Sequence, residues 1–318
     1  MNRIEIIKVA LICFVFSFFL SKYFYKKNLK IGSKEESTFG GLVIFLTVLI
    51  GILVSVYRFD VYIWKIFILF SFMFLLGLWD DYKELSPFRK LFFQVIIVIL
   101  ALFFGFRTEI IYIPVYLNYL ITAIWMLVII NAFNFLDIMD GLCLGNLLFV
   151  SLTFSIIGFI KFYPFNVFYS IVIFSSCLGF LPFNYKKAHA YLGDSGSLSL
   201  GFLLSIIAIS FSYARETNPI ALLTPVIILG LPMFDFAYVT IRRLLQGKSI
   251  FQKSPDHLAI LMERNGISQT RITYKFCFIS FGFAAAALVL QFGSCVSGIF
   301  TLILVISLFF AMVLKYYR

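Results

Sequence analysis

Long apolar runs separated by short polar stretches dominate the chain, and their lengths decide its class. Eleven runs, about 6–24, 41–57, 61–79, 90–106, 117–135, 142–160, 166–183, 197–213, 219–241, 273–291 and 296–315, each approach the span of hydrocarbon that a helix must cross. A segment in lipid has to satisfy its own backbone polar groups. The pattern therefore predicts an all-α, polytopic integral membrane protein with about eleven transmembrane helices. Between the fourth and fifth runs, residues 107–116 are rich in β-branched and aromatic residues and contain Pro114, which suggests a short exposed hairpin. No long repeat or shift of composition divides the chain, so 1–318 reads as a single transmembrane domain. The first run ends in Lys22, Lys26 and Lys27 and reads as a spanning helix, not a cleaved signal.

Composition sharpens this picture. The 318 residues are 62% hydrophobic and only 13% charged, with mean hydropathy +1.02. A soluble domain of this size carries about twice that charge. The net charge of +11 is spread over loops between apolar runs, so it argues for orientation and not for nucleic acid. Nineteen Lys and Arg fall on one side of the predicted topology and seven on the other, which places the N-terminus outside and the C-terminus inside. Carboxylates barely influence topology, yet eleven of the fifteen acids, among them Asp80, Asp81, Asp137, Asp140 and Asp194, share the cytoplasmic side. A cytoplasmic site for a divalent cation and a phosphorylated ligand would account for that bias. The five cysteines lie in or beside apolar runs without CxxC spacing and read as packed free thiols.

Four stretches carry candidate chemistry. In Asn131-Ala-Phe-Asn-Phe-Leu-Asp-Ile-Met-Asp-Gly141, polar groups recur every third residue: Asn131, Asn134, Asp137 and Asp140. On an unbroken helix they make a slanting stripe, so all four converge only if the helix breaks, with Gly141 the candidate point. Two buried acids beside two amides call for a cation or a proton. In Gly77-Leu-Trp-Asp-Asp-Tyr-Lys83, adjacent Asp80 and Asp81 repel, which favours a bound cation or a proton acceptor, with Lys83 close by. In Tyr191-Leu-Gly-Asp-Ser-Gly-Ser197, Gly193 and Gly196 allow a tight turn whose N–H groups face a phosphate. There Asp194 is a suitable metal ligand, and Ser195 and Ser197 are helix caps. The polar stretch from Arg242 through Lys248, Lys253 and Ser254 to Arg271 contains His257, one of two histidines, which with nearby cations can hold phosphate charge. Ser37-Thr-Phe-Gly-Gly41 suggests a close backbone approach, and His189 reads as an interface residue.

Taken together, from about Thr38 to Leu261, these stretches resemble the polyprenyl-phosphate N-acetylhexosamine-1-phosphate transferase family. The resemblance implies a transfer of sugar-1-phosphate from a UDP-sugar to a polyprenyl (undecaprenyl) phosphate, releasing UMP. It implies Mg²⁺ (or Mn²⁺) as cofactor, the bilayer as setting, and an active site on the cytoplasmic face of a bacterial inner membrane, for the first membrane step of cell-envelope polysaccharide synthesis. It places Asp80 and Asp81 at the reacting phosphate. It gives the metal to Asp194 with Asn134, and with Asp80 in reach. It puts Asp137, Asp140 and Asn184 near the nucleotide-sugar, with His257 in the catalytic set and Asn131, Lys83, Gly193 and Ser195 in the substrate-binding set. Ile138 stands where the family usually has Gly, and a single His257 replaces its clustered histidines. The second departure speaks against the phospho-N-acetylmuramoyl-pentapeptide branch. Outside this family, an ion-coupled transporter is the competing class. The sequence leaves a homodimer open.

Overall fold

A computed structural model describes residues 3–30, 38–58, 60–185, 188–214, 218–247 and 256–316. Ser37, Lys248, Lys253 and Ser254, singled out above, lie outside the described residues. The described chain is all-helical: α1 (Arg3–Lys26), α2 (Gly40–Val54), α3 (Val61–Tyr82), α4 (Pro87–Phe103), α5 (Val115–Leu136), α6 (Leu142–Ile160), α7 (Pro164–Asn184), α8 (Gly193–Ile209), α9 (Thr224–Ile228), α10 (Gly230–Leu245), α11 (Leu258–Arg264), α12 (Gln269–Phe292) and α13 (Cys295–Tyr316).

Starts are marked by local chemistry. Asp60 caps α3 by accepting the N–H groups of Tyr62 and Ile63 at 2.8 and 3.2 Å. Ser86 caps α4 and Pro87 opens it, a position where the missing N–H costs nothing.

Each of the eleven predicted runs is helical, but the span count is lower than expected. Among the described residues, six helices are long and apolar enough to cross a membrane, or up to seven with one broken pair. Two of the shortfalls have a geometric cause. The 15 residues of α2 rise only about 22 Å at 1.5 Å per residue, short of the ~30 Å hydrocarbon core. The 17 residues of α8 do little better. The run predicted at 219–241 is divided: a 3₁₀ turn (Pro219–Leu223) leads into α9, and α10 departs at 71°. Pro225 and Pro232 each remove a backbone donor there. The predicted hairpin at 107–116 is a loop tied to the start of α5. The Asn118 side chain accepts from Ile110 N–H at 2.9 Å and donates to its carbonyl at 3.1 Å, and Thr122 accepts from Thr108 N–H at 2.8 Å. One amide side chain thus stands in for a pairing strand.

Every residue of α8 from Ser195 to Ala208 is buried. A helix that is small or apolar all round belongs at the centre. It is flanked by α3 and α5, with α2 beside it; α7 packs on α1 and α6, and α12 on α6. The ends of α3, α5 and α7 and the starts of α4 and α8 meet at one end of the bundle, where the polar stretches gather.

A candidate active site at one end of the bundle

The site is assembled on a backbone seam between α3 and α8. A Cβ at Gly77 would fall 2.5 Å from Ser195 Cα, so only glycine lets the two helices approach there. On the other side, the N–H groups of Gly40 and Gly41 donate to the carbonyls of Tyr191 and Leu192 at 3.0 and 2.9 Å. The expected close approach of the double glycine is this strap over the turn that starts α8. Gly193 has φ +74°, the left-handed region open to glycine at little cost.

Asp81 closes the seam. Its carboxylate accepts the N–H groups of Asp194 at 2.9 Å and Ser195 at 3.0 Å. A side chain from another helix therefore caps α8, and its negative charge meets the positive end of the helix. This revises two expectations. Ser195 and Ser197 are not the caps: no side-chain cap comes from the residue preceding α8, and Ser197 Oγ instead accepts from Asn134 at 3.0 Å. The first backbone donors of the Gly193–Gly196 turn face Asp81, not a phosphate. Asp81 is 1% exposed with both oxygens engaged.

Beside the seam, oxygens from three helices converge on one cation. Lys90 Nζ of α4 lies 2.7 Å from Asp80 Oδ2, 3.2 Å from Asp194 Oδ1 and 3.2 Å from Asn134 Oδ1. The Asn134 amide nitrogen donates to Asp194 as well. Asp80 Oδ1 accepts the Leu85 N–H at 2.7 Å, which fixes the turn after α3. Asp80 is buried and Asp194 keeps 23% side-chain exposure. Among the described residues no three His, Cys, Asp or Glu side chains form a metal-sized group. Two carboxylates and one amide oxygen around a shared point are nonetheless hard donors of the kind that hold Mg²⁺ when phosphates and water complete its shell. Lys90 Nζ holds that shared point in the structure, so these donors suit such an ion only once the ammonium turns aside.

The rest of the central stretch disperses. α5 ends at Leu136, before Gly141, and Gly141 (φ +70°) instead precedes α6. Asn131 exchanges hydrogen bonds with Gln94 of α4 at 2.8 and 3.4 Å. Asp140 Oδ2 accepts the Ala188 N–H at 2.8 Å, and Asn184 joins Gly141 N–H (3.1 Å) to the Ala190 carbonyl (2.9 Å). Asp137 is half-buried at the end of α5, and Ile138 packs against the core. Lys83 is exposed beyond α3. His257 is buried at the start of α11, with Nδ1 2.9 Å from Asp235 Oδ2. His189 is exposed, its ring 5.0 Å from that of Tyr25.

Three residues here escaped sequence reading. Lys90 looked like one more anchoring cation. Its signal was position: Ser86-Pro87 marks a helix start, where a cation opposes the helix dipole and so needs anions of its own. Gln94 and Asp235 were lone polar groups inside apolar runs, which demand partners.

Comparison with known proteins gives the same direction. Residues 63–212 match the model of glycosyl transferase family 4. A protein of Bacillus subtilis (strain 168), described as a probable undecaprenyl-phosphate N-acetylglucosaminyl 1-phosphate transferase, is 29% identical over 83% of this chain and 76% of its own length. A phospho-N-acetylmuramoyl-pentapeptide-transferase of Oceanobacillus iheyensis is 31% identical over 80% of this chain and 84% of its own. A decaprenyl-phosphate N-acetylglucosaminephosphotransferase of Mycobacterium leprae is 30% identical over 62% of this chain, and the match spans only 56% of that relative.

Proposed function

The chain belongs to glycosyl transferase family 4, and from that premise we propose that it transfers N-acetylhexosamine-1-phosphate from a UDP-sugar to a polyprenyl phosphate, releasing UMP. The observation that carries this reading is the convergence of Asp80, Asp194 and Asn134 on Lys90. Transfer requires two phosphate groups to approach one another, and the barrier is largely electrostatic. An ammonium held by two acids at a bundle end suits that task. An ion-coupled carrier would call for acids along a pathway through the bundle.

In this reading the acceptor's hydrocarbon chain lies in the bilayer and its phosphate reaches the cytoplasmic end of the bundle. Asp194, Asn134 and Asp80 are the residues that would hold Mg²⁺, which when bound offsets charge on the phosphates. Lys90 leans between the acids and a phosphate oxygen. Asp81 fixes the start of α8, and so the position of Asp194. Both of its oxygens are taken by backbone N–H groups, which argues against its acting as the base or as a metal ligand. A lipid monophosphate is already an anion near neutral pH and needs little help from a base. Asp137, Asp140 and Asn184 shape the neighbouring loops for the nucleotide-sugar. The acidic end faces the cytoplasm of a bacterial inner membrane, where UDP-sugars are made.

The test is direct. The purified protein, undecaprenyl phosphate and Mg²⁺ are mixed with UDP-N-acetylglucosamine, UDP-N-acetylgalactosamine or UDP-N-acetylmuramoyl-pentapeptide. Release of UMP with a UDP-N-acetylhexosamine, dependent on both lipid and metal, is expected. Solute movement across vesicles without UMP would favour the carrier, and release with the pentapeptide donor alone would move the chain to the other branch.

A further inference from the structure

Asp235 is buried on α10, only 2% exposed, and does not touch the Lys90 cluster. Its Oδ2 lies 2.9 Å from Nδ1 of His257, and its Oδ1 accepts the Leu258 N–H at 3.4 Å. One carboxylate thus holds both the imidazole and the backbone that starts α11. The ring of Phe135 meets the imidazole at 5.6 Å and 68°. That residue follows Asn134 on α5, and the Arg243 guanidinium lies 5.3 Å from the same ring. The residue preceding His257, Asp256, pairs with Arg242 at 3.6 Å. The imidazole is therefore held by α10 on one edge and α5 on another.

Its second nitrogen, Nε2, makes no hydrogen bond among the described residues, and the side chain keeps 8% exposure. Nε2 is not among the side-chain atoms that are both fully buried and unpaired, so it borders accessible space and can be reached from outside. Which nitrogen of an imidazole is left for a ligand depends on the hydrogen bond made by the other. A carboxylate at Nδ1 keeps a proton there and leaves Nε2 for something that arrives from outside.

We propose that Asp235 is a positioning residue that fixes the Nδ1–H form of His257 and reserves Nε2 for a phosphate of the substrate. The substrate in this statement rests on the transferase reading; the tautomer does not. Full-length protein labelled with ¹⁵N-histidine is prepared in lipid nanodiscs as the His189→Gln variant, which leaves His257 as the sole histidine of two. The expected spectrum has the proton on Nδ1, and Asp235→Asn abolishes that single form. In the UMP assay, Asp235→Asn lowers kcat by roughly 10- to 100-fold with little change in KM, Asp235→Glu recovers most of it, and Asp235→Asn adds less than about twofold in a His257→Ala background. A proton on Nε2, or losses that multiply in the double variant, overturns the proposal. If Asp235→Asn does not fold, the tautomer in the protein that retains Asp235 still decides. If no UMP is released at all, the transferase reading falls, while the position of the proton still tests the role given to Asp235.

Discussion

Two groups of Asp and Asn side chains sit at the same end of the bundle and behave differently. Around Lys90, the side chains of Asp80, Asn134 and Asp194 meet one another across α3, α4, α5 and α8. Around Gly141, Asp140 and Asn184 turn to backbone groups of the adjoining loops. The first arrangement is a charge device, in which buried anions are tolerated because a cation shares them. The second is a splint, in which polar side chains supply the partners that irregular backbone lacks. Residue type and spacing are alike in both, so the partner, not the residue, separates a shared-charge cluster from a loop tie.

The largest effect expected is at the shared cation. Lys90→Leu leaves Asp80 and Asp194 facing each other uncompensated, which costs about 3–5 kcal/mol of stability and at least ~10²-fold in UMP release. Unfolding in detergent and a rate assay check both, and a stable, active variant would erase the contrast between the groups. Next comes the cap. Asp81→Ala costs about 0.5–2 kcal/mol by freeing the α8 N–H groups, and Asp81→Asn retains more activity than Asp194→Ala, since one carboxyl positions and the other is proposed to bind. Equal total loss in the last two would make Asp81 a reacting group. In the second group, Asp140→Ala costs about 1 kcal/mol through the Ala188 N–H and raises KM for the UDP-sugar more than it lowers kcat. The smallest effect belongs to the Asn131–Gln94 pair, whose removal by Gln94→Leu costs about 0.6 kcal/mol and leaves turnover within twofold. Thermal unfolding resolves it from the others.

Much of this was legible beforehand. Hydropathy located all eleven helical runs, because lipid leaves the backbone no alternative to helix. Among the described residues only six or seven helices are long and apolar enough to cross by themselves, and the runs at α2 and α8 fall short because these helices are brief and sheltered by their neighbours. The ordered acidic stretches located Asp80 and Asp194, and their meeting follows from which helix ends coincide. The cap by Asp81 was not legible, since it depends on two backbones touching at Gly77, a contact with no periodic trace. Lys90 was hidden in plain statistics: a cation at the edge of an apolar run has an ordinary explanation in topology, and only its place behind Ser86-Pro87 argues otherwise.

The contact at Gly77 also determines where the site has slack. Two main chains pressed together hold no rotamer that can yield, so α3 and α8 act as one rigid jaw with Asp80, Asp81 and Asp194 set along it. Room for an incoming anion has to come from the opposite side, where the four-carbon stem of Lys90 and the amide of Asn134 swing on single bonds. In the proposed reading, entry of substrate is then a rearrangement of side chains on α4 and α5, with no helix required to slide.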